Sequence, residues 1–216
     1  MADAPEPPRQ CELCPRLADF RRRNRAELPE FFNAPVASFG PEDAALLIVG
    51  LAPGLKGANR TGRPFTGDFA GGLLYQTLAE FGFTRGTYGA DPADGLRLVD
   101  CMITNAVRCV PPENKPTGLE TKTCRRFLAA RIRSLPRLRA LFALGRIAHD
   151  SVLTALAQSR SEHPFVHGAA HGLGDGLTLV DSYHCSRYNT NTGKLTPEMF
   201  RYAFAKAAEL VAPARA

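Results

Sequence analysis

Three stretches of the chain gather the residue types that do chemistry. Residues 50–68, "GLAPGLKGANRTGRPFTGD", follow the apolar run "AALLIV" and hold an aromatic ring, Phe65, and a closing carboxylate, Asp68. "TNAVRCVPPENKP" carries Asn105 and Cys109, and "SYHCSRYNTNTG" carries His184 and Cys185. A carboxylate can orient or deprotonate water. An asparagine amide both donates and accepts hydrogen bonds. A histidine can donate to a departing anion. Each also has a plain structural reading. Asp68 suits the N-cap of a helix opening "FAGGLLYQTL", Asn105 a turn, Phe65 ordinary packing, and His184 the surface.

The glycine-rich stretch is not a phosphate loop of either common kind. It lacks the G-x4-G-K-[ST] spacing and the G-x-G-x-x-G fingerprint. The six cysteines suit metal ligation or packing better than disulfides in a cytosolic chain. Cys11 and Cys14 form the C-x2-C of "CELC", and Cys109 and Cys124 stand further along. Four thiolates can hold a structural zinc or an iron–sulfur cluster. A second tight C-x2-C, expected of a zinc ribbon, is missing, which favours the cluster. Cys101 reads as core, and Cys185 as a packing residue or a reactive thiol.

These groups need a scaffold, and the apolar pattern supplies one. Strands are expected at Ala44–Val49, Leu96–Thr104, Leu141–Leu144 and Leu177–Ser182. Helices are expected at Gly71–Phe81, from about Glu120, at Arg146–Leu156, and after the cap Thr196-Pro197-Glu198. Alternating strands and helices imply a parallel sheet covered on both faces. Ligands of such sheets bind beyond the carboxyl ends of the strands, where the polar stretches fall. One domain is expected over residues 11–211, with frayed ends at 1–10 and 212–216.

The net charge is +6, with seven Lys or Arg and no acid between residues 122 and 139. Lys122, Arg126 and Arg133 share one helix face there, opposite Cys124, Phe127, Leu128, Ile132 and Leu135. That face is either solvated or a surface for phosphates. No apolar stretch approaches a membrane span or a secretory signal, so a cytoplasmic protein with no membrane partner is expected.

Four segments in order carry a family resemblance: "CELCPRLADFR", the 50–68 loop, "TNAVRCVPPENKP" with the later Cys124, and "HCSRYNTNTGKLT". Over about residues 9–210 the chain resembles the type-B, or family 5, uracil-DNA glycosylases. The resemblance implies an α/β fold, a three-layer α/β/α sandwich around a four-stranded parallel sheet. It implies a 4Fe–4S cluster on Cys11, Cys14, Cys109 and Cys124, and excision of uracil, and of deaminated bases such as hypoxanthine, from double-stranded DNA by a monomer. The base must be flipped out to be reached. On this reading Gly50, Leu51, Ala52, Pro53 and Gly54 wall the pocket and Phe65 stacks on the base. Asn105 reads the base edge, His184 donates to O2 of the leaving uracil, and Asp68 activates water. Leu51 stands where the related type-A enzymes carry a glutamate. Asn59, Arg60 and Arg63, with Ser186, Arg187, Tyr188 and Asn189, are expected to contact DNA. Cys185 replaces the proline usual after the histidine. Two alternatives remain: a non-catalytic or covalently trapping iron–sulfur protein that binds damaged DNA, and an enzyme acting on free nucleosides.

Overall fold

The structure is a computed structural model describing residues 4–211. In chain order its elements are α1 (Pro15–Glu27), β1 (Leu46–Gly50), α2 (Ala58–Thr61), α3 (Phe69–Glu80), β2 (Thr84–Arg85), β3 (Arg97–Leu98) and β4 (Cys101–Asn105). There follow α4 (Gly118–Ser134), β5 (Ala140–Leu144), α5 (Arg146–Ala155), β6 (Ala170–Gly172), β7 (Thr178–Ser182), α6 (Arg187–Asn191) and α7 (Pro197–Val211). The main sheet runs β4-β1-β5-β7-β6, and its first four strands are parallel.

Every residue of β1, β4 and β5 is buried, as expected of strands covered on both faces. Alternate side chains feed two separate cores. Leu46, Ile48, Ile103, Phe142 and Val180 pack with Leu74 and Leu78 of α3 and Phe200 and Phe204 of α7. Leu47, Val49, Met102, Leu141 and Leu179 pack with Leu128 and Ile132 of α4 and Val152 and Leu153 of α5. The three-layer α/β architecture is therefore present, and no helix among the described residues is long and apolar enough to cross a membrane.

Three details differ from the sequence expectation. A fifth strand, β6, pairs antiparallel at the sheet edge; its three residues, Ala-His-Gly, carry no alternating pattern to betray it. The expected strand over Leu96–Thr104 is broken. Arg97–Leu98 pairs with Thr84–Arg85 in a small hairpin, and Asp100, at a positive φ of 53°, turns the chain before β4. The N-terminal segment, expected to fray, is bonded where it is described. Residues 1–3 and 212–216 lie outside the described residues.

That N-terminal bond is electrostatic. Glu6 accepts from Arg108 at 2.8 Å and from Arg131 at 2.7 Å, and both arginines are almost wholly buried. Pro5 O accepts a further bond from Arg108, and Glu42 shares Arg131. Burial pushes the Glu6 carboxyl up, but the Arg108 charge and bonds from Ser38 and Arg131 outweigh it and hold the group below its ordinary value. A depressed carboxylate stabilises the fold above its unfolded pKa and loses that contribution as pH falls through its folded value. Glu6→Ala leaves the buried Arg108 guanidinium without its ion-pair partner and Arg131 with Glu42 alone, and should cost about 3 kcal/mol in urea unfolding at neutral pH. The gap between wild type and variant should close as pH falls below about 4.

Candidate active site

The site begins where β1 ends. Gly50 lies in register with Asn105 at the end of the neighbouring strand. A Cβ at Gly50 would stand 2.6 Å from Phe65 Cζ and closer still to Asn105 Oδ1, so no side chain fits between them. Phe65 adopts a positive φ of 54°, a conformation uncommon for a bulky residue. Its neighbours brace it: Tyr75 Oη donates to Pro64 O at 2.7 Å and Tyr88 Oη to Phe65 O at 3.1 Å.

Asp68 caps α3, its Oδ1 accepting from Gly71 N at 3.2 Å. The capping role read from sequence is therefore real, and it leaves Oδ2 on the other side. There Gly57 passes so close that a Cβ would stand 2.6 Å from Asp68 Oδ2. Burial raises the Asp68 carboxyl above its ordinary value against the pull of backbone N–H groups from Gly71 and Ala70.

A cavity of about 390 Å³ opens beyond these strand ends. Leu51, Ala52, Pro53 and Gly54 line it together with Phe65, Asp68, Asn105, His184, Ser186 and Arg187. Four further lining residues, Ala58, Phe69, Ala70 and Asn114, were missed in the sequence. Asn114 sits in the "PPENKP" turn at a positive φ of 57°, and its Oδ1 flanks Gly54 on the same side as Asp68 Oδ2. An asparagine between prolines is the only hint the sequence gave. Asn105 Oδ1 and His184 Nδ1 are both buried without a hydrogen-bond partner in the protein. Buried polar atoms rarely go unpaired, and two on one cavity suggest a polar ligand.

The His184 ring faces Phe65 at 6.0 Å between centroids. Asn189 Nδ2 donates to His184 O at 2.8 Å, so Asn189 ties the loop rather than facing outward. Cys185 is fully buried beneath, with Sγ 3.6 Å from Ala70 O, and burial pushes its thiol up to about 12. It is a packing residue, not a reactive thiol. Ser186 caps α6 through Asn189 N. Arg187 is exposed and lies over the Phe69 ring at 5.2 Å, and Tyr188 is 73% exposed.

Two residues expected at a DNA surface are not on the surface. Asn59 is buried and donates to Asn33 Oδ1 at 2.9 Å. Arg63 is buried, chelates Asp94 through two 2.7 Å bonds, donates to Thr66, and stacks on Phe39, Tyr75 and Tyr88. All three of its nitrogens are engaged, Nε with Thr66 of the Phe65 turn and the other two with Asp94. A loop polar residue and a core one look alike in sequence when the partner lies about thirty positions away. Arg60 remains exposed.

The four matched cysteines converge. Cys11, Cys14, Cys109 and Cys124 share a hydrophobic cluster with Leu17, Val107 and Phe127 and line one small void. Arg21 Nη1 lies 3.5 Å from Cys109 Sγ, and Arg108 N–H donates to Cys124 Sγ at 3.3 Å. Burial, with repulsion from neighbouring thiols, pushes Cys14 up to about 11, and burial pushes Cys109 to about 12. Thiolates crowded this way call for a cationic centre, which would deprotonate them outright. The donor set fits a metal centre.

Burial without a compensating charge lowers His184 to about 4. Its ring should stay neutral across pH 5–8, with an imidazole NMR titration centred near 4 rather than about 6.5. Because the unfolded chain binds this proton more readily, the contribution to stability is complete above about 6.5 and declines as pH falls.

Comparison with known proteins agrees with this architecture. The uracil DNA glycosylase superfamily profile matches residues 37–208. The type-5 uracil-DNA glycosylase of Thermus thermophilus is 47% identical over 195 residues, covering 88% of this chain and 89% of its own. Those of Mycobacterium leprae and Pyrobaculum aerophilum are 43% and 36% identical, covering 93% and 92% of this chain and 91% and 88% of their own. A match across the sheet, the 50–68 loop and the histidine loop together places the chain in the uracil-DNA glycosylase superfamily.

Proposed function

We propose that the protein flips uracil out of double-stranded DNA and hydrolyses its glycosidic bond, leaving an abasic site. The observation that carries this is the pair of unpartnered buried atoms, Asn105 Oδ1 and His184 Nδ1, on one cavity with the Phe65 ring and the Asp68 carboxylate. Phe65 stacks on the extruded base while Asn105 meets its O4/N3–H edge, where an amide oxygen can accept the N3 proton. Bond cleavage leaves cationic character on the sugar and negative charge on the base. His184, neutral because it is buried, donates a hydrogen bond to uracil O2 and stabilises the leaving anion without giving up its proton.

Asp68 supports the other half of the reaction. A water held by its free oxygen attacks C1′, the C1′–N1 bond breaks with its electron pair passing to the base, and the carboxylate takes the water's proton. The raised carboxyl pKa suits a base. Asn114, on the same side of Gly54 as that oxygen, helps to hold the water. The small residues Ala52, Pro53 and Gly54 leave room for a larger ring, so the reading extends to hypoxanthine. Arg60, Ser186, Arg187 and Tyr188 contact the DNA, with Arg187 and Tyr188 entering the gap left by the flipped nucleotide to offset unstacking.

Cys11, Cys14, Cys109 and Cys124 hold a 4Fe–4S cluster on this reading, with N–H···S bonds of the kind that surround such centres. It supplies structural cross-linking of three chain segments. Visible absorbance with iron and sulfide content tests it, and zinc in a colourless protein would contradict it.

Incubation with a duplex carrying one U:G pair, followed by alkali, should reveal an abasic site and no prior strand break. Absence of the abasic site, with a control enzyme active, rejects the reading. Asp68→Asn and His184→Ala should each lower the single-turnover rate by about 100-fold or more while changing duplex affinity little. Since Asp68 must be ionised, the wild-type rate should fall on the acid side with a midpoint above about 4, and Asp68→Asn should lose that limb.

A further inference from the structure

A second cluster of ligating side chains stands apart from both the cavity and the cysteines. His149 of α5, His171 of β6 and Asp181 of β7 bring one nitrogen or oxygen each within 4.8 Å of one another. His149 Nδ1 lies 2.7 Å from Asp181 Oδ1, and His171 Nε2 lies 3.0 Å from Asp181 Oδ2. Asp181 is fully buried, His149 is 1% exposed, and His171 reaches the sheet edge.

The hydrogen-bond pattern fixes what the cluster needs. His149 Nε2 lies 2.9 Å from the carbonyl oxygen of His163, which can only accept, so Nε2 carries a hydrogen. In the neutral ring Nδ1 is then a bare lone pair, and it faces a carboxylate oxygen. Two acceptors at 2.7 Å require a cation between them, either a proton or a metal ion. A ligating histidine characteristically donates its other N–H to a backbone carbonyl, as His149 does. Two imidazoles and one carboxylate form a donor set suited to zinc.

We infer that His149, His171 and Asp181 form a binding site for a zinc-class divalent ion, with water completing the coordination from the exposed side of His171. Tetrahedral zinc with bonds of about 2.0–2.1 Å sets ligand atoms about 3.3 Å apart, so loading spreads His149 Nδ1 and Asp181 Oδ1 by ~0.6 Å. The site ties α5 and the sheet edge to β7 three residues before His184. Gly145, at the start of α5, packs against His184 Cβ, since a Cβ there would lie 3.5 Å from it. The ion is thus a clamp behind the histidine loop, and no step of the glycosidic chemistry passes through it.

The test uses zinc chloride with the protein as isolated, its cysteine centre intact. Zinc content after gel filtration should rise by one equivalent, and crystals soaked in zinc chloride should give an anomalous peak bounded by His149, His171 and Asp181. His171→Ala should weaken this binding by about tenfold or more. His171→Gln can keep a hydrogen bond to Asp181, and it should fold normally and lose zinc affinity alike. Zinc raising the melting temperature of the wild type but not of His171→Gln would support the clamp. No anomalous peak at the triad, or equal binding by wild type and both variants, overturns the proposal and leaves a proton-bridged ion pair.

Discussion

Two parallel strands deliver Gly50 and Asn105 side by side at the edge of the sheet, and the space between them admits no side chain. Much of the cavity follows from that one exclusion. With no Cβ at Gly50, the Phe65 ring can drop onto the strand ends and meet Asn105 across them. Once the ring is there, its backbone must turn back sharply, which it does at a positive φ. The strain is held by Tyr75, Tyr88 and the Arg63–Asp94 pair rather than by the loop itself. The basic residue that looked like a DNA contact instead braces the turn that holds the Phe65 ring.

Asp68 shows how one side chain can cap a helix and still line the cavity. One oxygen satisfies an N–H at the start of α3, which fixes the χ angles and removes the entropy of a free carboxylate. The helix N-terminus favours the charged form while burial favours the neutral one, and burial prevails. The closeness of Gly57 keeps the second oxygen from being covered by a side chain. Capping therefore does not compete with the water-activating role proposed for this residue.

The layered fold was legible because fully buried strands and long amphipathic helices leave strong patterns: β1, β5, β7 and α5 lie within two residues of their expected bounds, and α7 starts at its expected cap. The break at Asp100 and the three-residue β6 were not legible, since each depends on pairing with a distant segment. The same limit governs the site. Phe65, Asp68, Asn105 and His184 sit in recognisable stretches and do meet at one cavity. Asn59 and Arg63 sit in such a stretch too, yet Asn33 and Asp94 draw them inward. Asn114 was overlooked because its importance comes from where the turn after Cys109 folds back, not from its neighbours in sequence.

That turn links the cysteine centre to the cavity. Asn105 lies four residues before Cys109, and Asn114 lies between Cys109 and Cys124. Ala106 N and Val107 N bond to Gly50 O and Leu51 O, so the exit of β4 is stitched to the pocket wall before it reaches the cysteines. Arg108 then plugs the chain into Val36 and the Glu6 carboxylate. A metal held by Cys109 and Cys124 would fix both ends of the excursion that carries Asn114 to the cavity beside Gly54. A loop of this length between free ends would spread its tip over many positions, and closing it removes most of that freedom. Such a centre would need no redox function to shape the cavity, because holding the Asn114 turn over Gly54 is itself a demand for rigidity.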